Sequence, residues 1–98
     1  MLRLGPVAVQ RARGGGVSVS VSVTRPALVS VDIVGLSGVL LRRVVERQAV
    51  DGGEASFYWD ARDEQGALVP AGSYLCEVRA ETEEGERVSA VASVVLVP

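Results

Sequence analysis

The chain has no histidine, no lysine, no asparagine and one cysteine. Without imidazole there is no histidine base and no histidine metal ligand, and one thiol can form neither an internal disulfide nor a thiolate cluster. Aromatic residues make up 4% of the sequence, and Tyr58, the one placed outward, is too little for a sugar-stacking platform. All ten cationic side chains are arginines, set against twelve carboxylates for a net charge of −2, so there is neither a basic field for nucleic acid nor an acidic tail. Long apolar runs are also missing. The longest, near Ala90 to Pro98, contains Ser93 and is too short to cross a bilayer, and Arg3, Gly5, Pro6 and Gln10 interrupt any apolar signal core in the opening MLRLGPVAVQRARGGG. What is abundant is valine, at 20 of 98 positions, and a chain this rich in one β-branched residue reads as all-β. Its length suits one domain spanning 1–98, with residues 1–16 forming a less regular first strand and a glycine-rich connection.

Period-two patterning carries the reading further. Val17 to Val23 is VSVSVSV, which puts Val17, Val19, Val21 and Val23 on one face and three serines on the other. Leu28 to Val34 alternates with Val29, Val31 and Ile33 facing one way and Ser30 and Asp32 the other, and GLSG at Gly35 to Gly38 closes a hairpin. The next strand, VLLRRVVE at Val39 to Glu46, doubles its apolar and arginine positions, so a bulge near Leu40 and Leu41 is expected, followed by a polar loop over Arg47 to Gly53. Ala55, Phe57 and Trp59 share one face of a short strand; Tyr74, Cys76, Val78 and Ala80 share one face of another; Arg87 to Val97 is the last, apolar on both faces toward its end. Seven short strands with turn chemistry between them predict a two-sheet antiparallel sandwich.

The segment WDARDEQGALVPAGSYLCEVRA, Trp59 to Ala80, resembles the C-terminal Ig-like module of the flagellar hook-capping protein FlgD. The pattern W-D-G-x-D-x-x-G-x-x-V-P-x-G-x-Y of that family is met by Trp59, Asp60, Asp63, Gly66, Val69, Pro70, Gly72 and Tyr74, with Ala61 standing at its first glycine, which bears on the local loop conformation. RPALVSVDIVGLSGVLLRRV, Arg25 to Val44, is similar to the strand, turn and strand upstream of it, and the likeness spans about Val17 to Leu96. The resemblance implies an Ig-like or fibronectin-III-like antiparallel β-sandwich of about seven strands. It also implies noncatalytic work as a structural or interaction module in a bacterial surface or extracellular assembly, flagellar hook assembly among them, with no cofactor. As a structural corner, the motif would set Trp59 between the sheets, use Asp60 and Asp63 to accept loop N–H groups and give Gly66 a left-handed turn position. Pro70 and Gly72 would reverse the chain and bring the Tyr74 hydroxyl back to the corner, as in the tyrosine corner of Ig-like domains.

Other features bear on possible chemistry. Asp60, Asp63 and Glu64 are candidate calcium ligands, but they lack D-x-D-x-D-G spacing and loop capping accounts for the aspartates. Cys76 reads as a small buried hydrophobe with no base to activate it. Gly14 to Gly16 precedes a strand rather than a helix, which argues against a phosphate loop and for a flexible connection. Arg42, Arg43 and Arg47 could meet an acidic partner but are ordinary on a solvated strand. Val91, Val95 and Val97 are the candidate interface: their apolar face is covered either by Leu4 to Val9 or by a protein partner, a neighbouring domain or a second copy through the edge strand. An alternative function is an accessory ligand-binding domain, for carbohydrate or calcium, of a larger secreted enzyme. Several exposed rings would favour that alternative, and an apolar edge would favour assembly.

Overall fold

A computed structural model describes residues 1–97, and its seven strands form two antiparallel sheets. In chain order they are β1 (Ala8–Arg11), β2 (Val17–Val23), β3 (Ala27–Val34), β4 (Leu40–Val50), β5 (Gly53–Trp59), β6 (Gly72–Glu81) and β7 (Arg87–Leu96). One sheet has the order β1-β2-β5 and the other β4-β3-β6-β7. The all-β sandwich expected from valine content and period-two patterning is the observed architecture.

The core lies where the alternation points. Val17, Val19, Val21 and Val23 of β2 are buried against Val29, Val31 and Ile33 of β3 and Cys76, Val78 and Ala80 of β6, with Phe57 and Trp59 closing one end. Fully burying a valine side chain is worth about 1.5–3 kcal/mol, so these rows supply most of the drive for the sheets to stack. The pairs from Val17↔Trp59 to Val23↔Gly53 run without interruption, and a slip of one residue would turn every β2 valine to solvent.

β4 departs from the expectation in one way and meets it in another. Its pairing with β3 skips Leu41 between Ile33↔Arg42 and Val34↔Leu40, the site expected for a bulge, and shifts again between Val31 and Asp32 and between Val29 and Val31. The supposed polar loop over Arg47 to Gly53 is instead mostly strand: Gln48, Ala49 and Val50 pair with Val29, Leu28 and Ala27, and β5 begins at Gly53. The last irregularity lies beside Arg47, whose φ of 50° breaks the side-chain alternation and hides the continuation from a period-two reading.

The glycine-rich connection also differs from the expected flexible link. Gly14, Gly15 and Gly16 all have positive φ and form a tight turn, in which Ala12 N–H donates to the Gly16 carbonyl and Gly15 N–H to the Ala12 carbonyl. The Tyr58 hydroxyl donates to the Gly15 carbonyl at 2.9 Å and ties the turn to β5. Leu4 to Val9 joins the first sheet: Leu4 bridges Val23, Gly5 N–H donates to the Ser22 carbonyl, and Ala8 and Val9 pair with Ser20 and Val19.

Candidate functional site

The segment from Trp59 to Tyr74 is a loop closed by its own hydrogen bonds. Trp59 ends β5 fully buried, and its indole N–H donates to the Arg62 carbonyl at 2.9 Å. One oxygen of Asp60 accepts the Arg62 N–H, and Oδ1 of Asp63 accepts the N–H groups of Gln65 and Ala67 at 2.9 and 3.0 Å. Gly66 takes φ 86° in the turn that its N–H closes on the Asp63 carbonyl. Val69 N–H donates to the carbonyl of Ala61, which stands at φ 64°, a left-handed conformation that explains why the family pattern has glycine there. Past Pro70 and Gly72, the Tyr74 hydroxyl donates back to the Pro70 carbonyl while its ring meets Trp59 edge-on, with centroids 6.2 Å apart.

The loop is also latched to the edge of β4. Glu64 N–H donates to the Leu41 carbonyl at 3.0 Å, and a Glu64 carboxylate oxygen accepts the Arg43 N–H at 2.6 Å. Nη1 of Arg42 reaches Asp60 Oδ1 and the carbonyls of Arg62 and Asp63 at 3.3–3.4 Å. The three candidate calcium ligands, Asp60, Asp63 and Glu64, therefore face N–H donors and a guanidinium. Among the described residues no group of three or more histidine, cysteine, aspartate or glutamate side chains is placed to hold a metal ion.

On the outer face of the four-stranded sheet lies a buried carboxylate. Asp32, 4% exposed on the central strand β3, receives Arg43 Nε at 3.2 Å on one oxygen and Arg79 Nη2 at 2.9 Å on the other. Alternation correctly put Asp32 on the outer face, but not under a cover; the long arginine stems from β4 and β6 lie across it. Arg47 pairs with Glu81, which also receives Arg87, so Arg42, Arg43 and Arg47 are all held by carboxylates of their own chain. Arg47 and Arg87 hold the Glu81 carboxyl below the ordinary 4.5. Cys76 is buried beneath the sheet, and desolvation, then the charges of Asp32 and Glu77, push its thiol up to about 11, far from a thiolate at neutral pH.

β7 presents the opposite chemistry. Val94 is buried while Val91, Val95 and Val97 are 60%, 56% and 50% exposed. Leu4 to Val9, which pairs with β2, leaves these outward-facing valines uncovered. Val91 shares the outer face with Glu77 and Asp32 in one cross-sheet row, and the next rows hold Val34, Leu40 and Leu75, then Val95. Tyr58 points outward, as its place in β5 predicts, and is the one exposed aromatic among the described residues.

Two stacked antiparallel sheets, with a buried tryptophan and a tyrosine whose hydroxyl returns to the preceding loop, define an Ig-like β-sandwich. The family model described as FlgD Ig-like domain matches residues 8–84, and the chain belongs to that family. No curated protein matches it. Among solved structures, FlgD from Pseudomonas aeruginosa superposes with a TM-score of 0.70 at 18% identity, over 93% of this chain and 74% of that one. FlgD from Xanthomonas campestris, described in connection with hook capping essential for flagellar assembly, gives 0.67 at 24% identity, over 96% and 66%. CopC from Methylosinus trichosporium OB3b gives 0.62 at 17% identity, over 97% and 92%. At these identities the likeness concerns the fold, and the chain spans about three quarters of one FlgD structure and just under two thirds of the other.

Proposed function

We propose that the chain is a noncatalytic structural and interaction module of a bacterial surface assembly of the hook-capping kind, a single domain that works outside the cytoplasm. The observation that carries this reading is the division of its surface. The polar groups of the corner are engaged with their own chain, whereas large apolar side chains stand uncovered on β7. In this reading Trp59, Asp60, Asp63, Gly66, Pro70, Gly72 and Tyr74 keep the sheets and the β4 edge in place, and Val91, Val95 and Val97 meet protein. Membership in the FlgD Ig-like family supports the kind of assembly. The alternative, an accessory domain for sugar or calcium, has no observation in its favour: one exposed ring makes no stacking platform, and the corner acids already have donors.

The test is genetic. Deleting the coding segment in its host is expected to abolish complete hooks by electron microscopy and swimming in soft agar, with both restored by the wild-type copy. Normal hooks and motility in the deletion strain would refute the hook-capping assignment.

A further inference from the structure

We propose that β7 is an association edge that pairs antiparallel with β7 of a second copy, joining two four-stranded sheets into one. A bare strand edge offers a row of free N–H and C=O groups, and proteins normally block it by shortness, charge, bulges or cover. Each of the other edges is blocked in one of these ways. β1 has four residues, β5 starts on Gly53 at positive φ and carries Glu54, and β4 is interrupted by bulges and covered at Leu41 to Arg43 by the corner loop. β7 has no such device along its free edge, although β1 of the other sheet lies close to it. Its ten residues RVSAVASVVL pair with β6 without a break, contain no proline or glycine, and carry one charge, Arg87, already held by Glu81. Among the described residues, no backbone bond reaches these ten residues from any element other than β6.

The occupant follows from the chemistry of the strand. Past Arg87 it offers only small apolar side chains and serines, so nothing on it selects a charged or aromatic segment, and a strand of the same composition fits it best. Antiparallel pairing of a strand with its own copy is self-complementary and closes about a two-fold axis. With Ser93 on that axis, Val91 of each copy faces Val95 of the other on the outer face, and neither Arg87 meets a like charge. The valines left open by Leu4 to Val9 thereby gain cross-strand apolar partners, on either side of the Ser93 pair in which the row of Leu40, Val34 and Leu75 ends.

The inference rests on the reading of β7 as the protein-contacting surface, and its test is separate from the genetic one. Sedimentation equilibrium of the chain from about 1 μM to 1 mM is expected to show a mass rising from 10.2 kDa toward twice that value. In the double variant Val91→Lys/Val95→Lys, like charges face each other across the junction, and the dissociation constant should rise more than about tenfold with an unchanged circular dichroism spectrum. Val39→Lys, the same change at an exposed hairpin position, should associate like wild type. If the double variant does not fold, Ser93→Lys on the exposed axis position decides the same question. A wild-type chain that stays at 10.2 kDa throughout, or a dimer equally strong in the lysine variant, overturns the proposal. A strictly monomeric chain whose deletion still abolishes hooks would overturn self-pairing and leave the module reading standing.

Discussion

Replacing Ala61 with glycine should stabilise the protein, although it removes a side chain. Ala61 sits at φ 64° between Asp60 and Arg62, where its Cβ crowds the following carbonyl, a conformation that costs an L-residue about 1–2 kcal/mol. Glycine removes that cost but gives the unfolded chain more freedom, worth about 0.4–1 kcal/mol in the opposite direction. The midpoints of the two ranges leave a gain of about 0.8 kcal/mol. The backbone bond from Val69 N–H to the Ala61 carbonyl, 2.9 Å long, is retained because it uses no side-chain atom. For a domain of this size each kcal/mol moves the midpoint by about 4–8 °C, so Tm should rise by about 3–6 °C. Thermal unfolding followed by circular dichroism and by the fluorescence of Trp59 would measure it. Ala61→Val, which adds a branched Cβ at the same φ, should lower Tm. An Ala61→Gly variant with an unchanged or lower Tm would refute the account of the corner as locally strained.

Two further outcomes follow from named contacts. A Cβ at Gly16 would lie 2.3 Å from the Trp59 carbonyl and 2.7 Å from the Tyr58 hydroxyl at φ 75°, so Gly16→Ala should cost more than about 2 kcal/mol in urea unfolding. Gly14→Ala, with nothing within 4 Å of its Cβ, should cost visibly less. At acid pH the sign is set by Glu86 and Glu81. The Leu2 N–H holds the Glu86 carboxyl below the ordinary 4.5, with help from the N-terminal charge and Arg25, as Arg47 and Arg87 do for Glu81. A carboxylate depressed in the folded state contributes stability that is present above its unfolded value and is lost as pH falls through the folded one. Tm should therefore fall as the pH drops below about 4.5, and Glu86→Gln should flatten that dependence; an equally steep profile in the variant would refute the role of Glu86.

The strands with clean alternation were legible because each buries one face against the other sheet, and β2 is the plainest case, its valines inward and its serines outward. The corner was legible because its geometry calls for particular residue types: aspartates to accept loop N–H groups, a glycine at positive φ, and a tyrosine reaching back to Pro70. Cooperation between distant segments left no such local mark. The continuation of β4 past Arg47 is hidden by irregular pairing that only β3 can reveal. Burial of Asp32 depends on arginines 11 and 47 residues away in the chain, and the Leu2 N–H finds its acceptor in Glu86, 84 residues on. The glycine turn looked slack because glycine permits both slack and tight conformations, and Tyr58, far along the chain, decides between them.

The placement of the first and last strands has a mechanical consequence. β1 runs beside β2 from the end where Leu4 meets Val23 to the opposite end where Arg11 meets Val17. β7 runs beside β6 from Arg87, opposite Glu81, to Leu96, opposite Gly72. The principal-axis extents are 41, 25 and 19 Å. Tension applied between Leu2 and Leu96 would act along both terminal strands, loading their ladder bonds side by side in shear rather than opening them one at a time like a zipper. With the side chain of Leu2 buried in the core and its N–H held by Glu86, the sandwich is arranged to carry a pulling load.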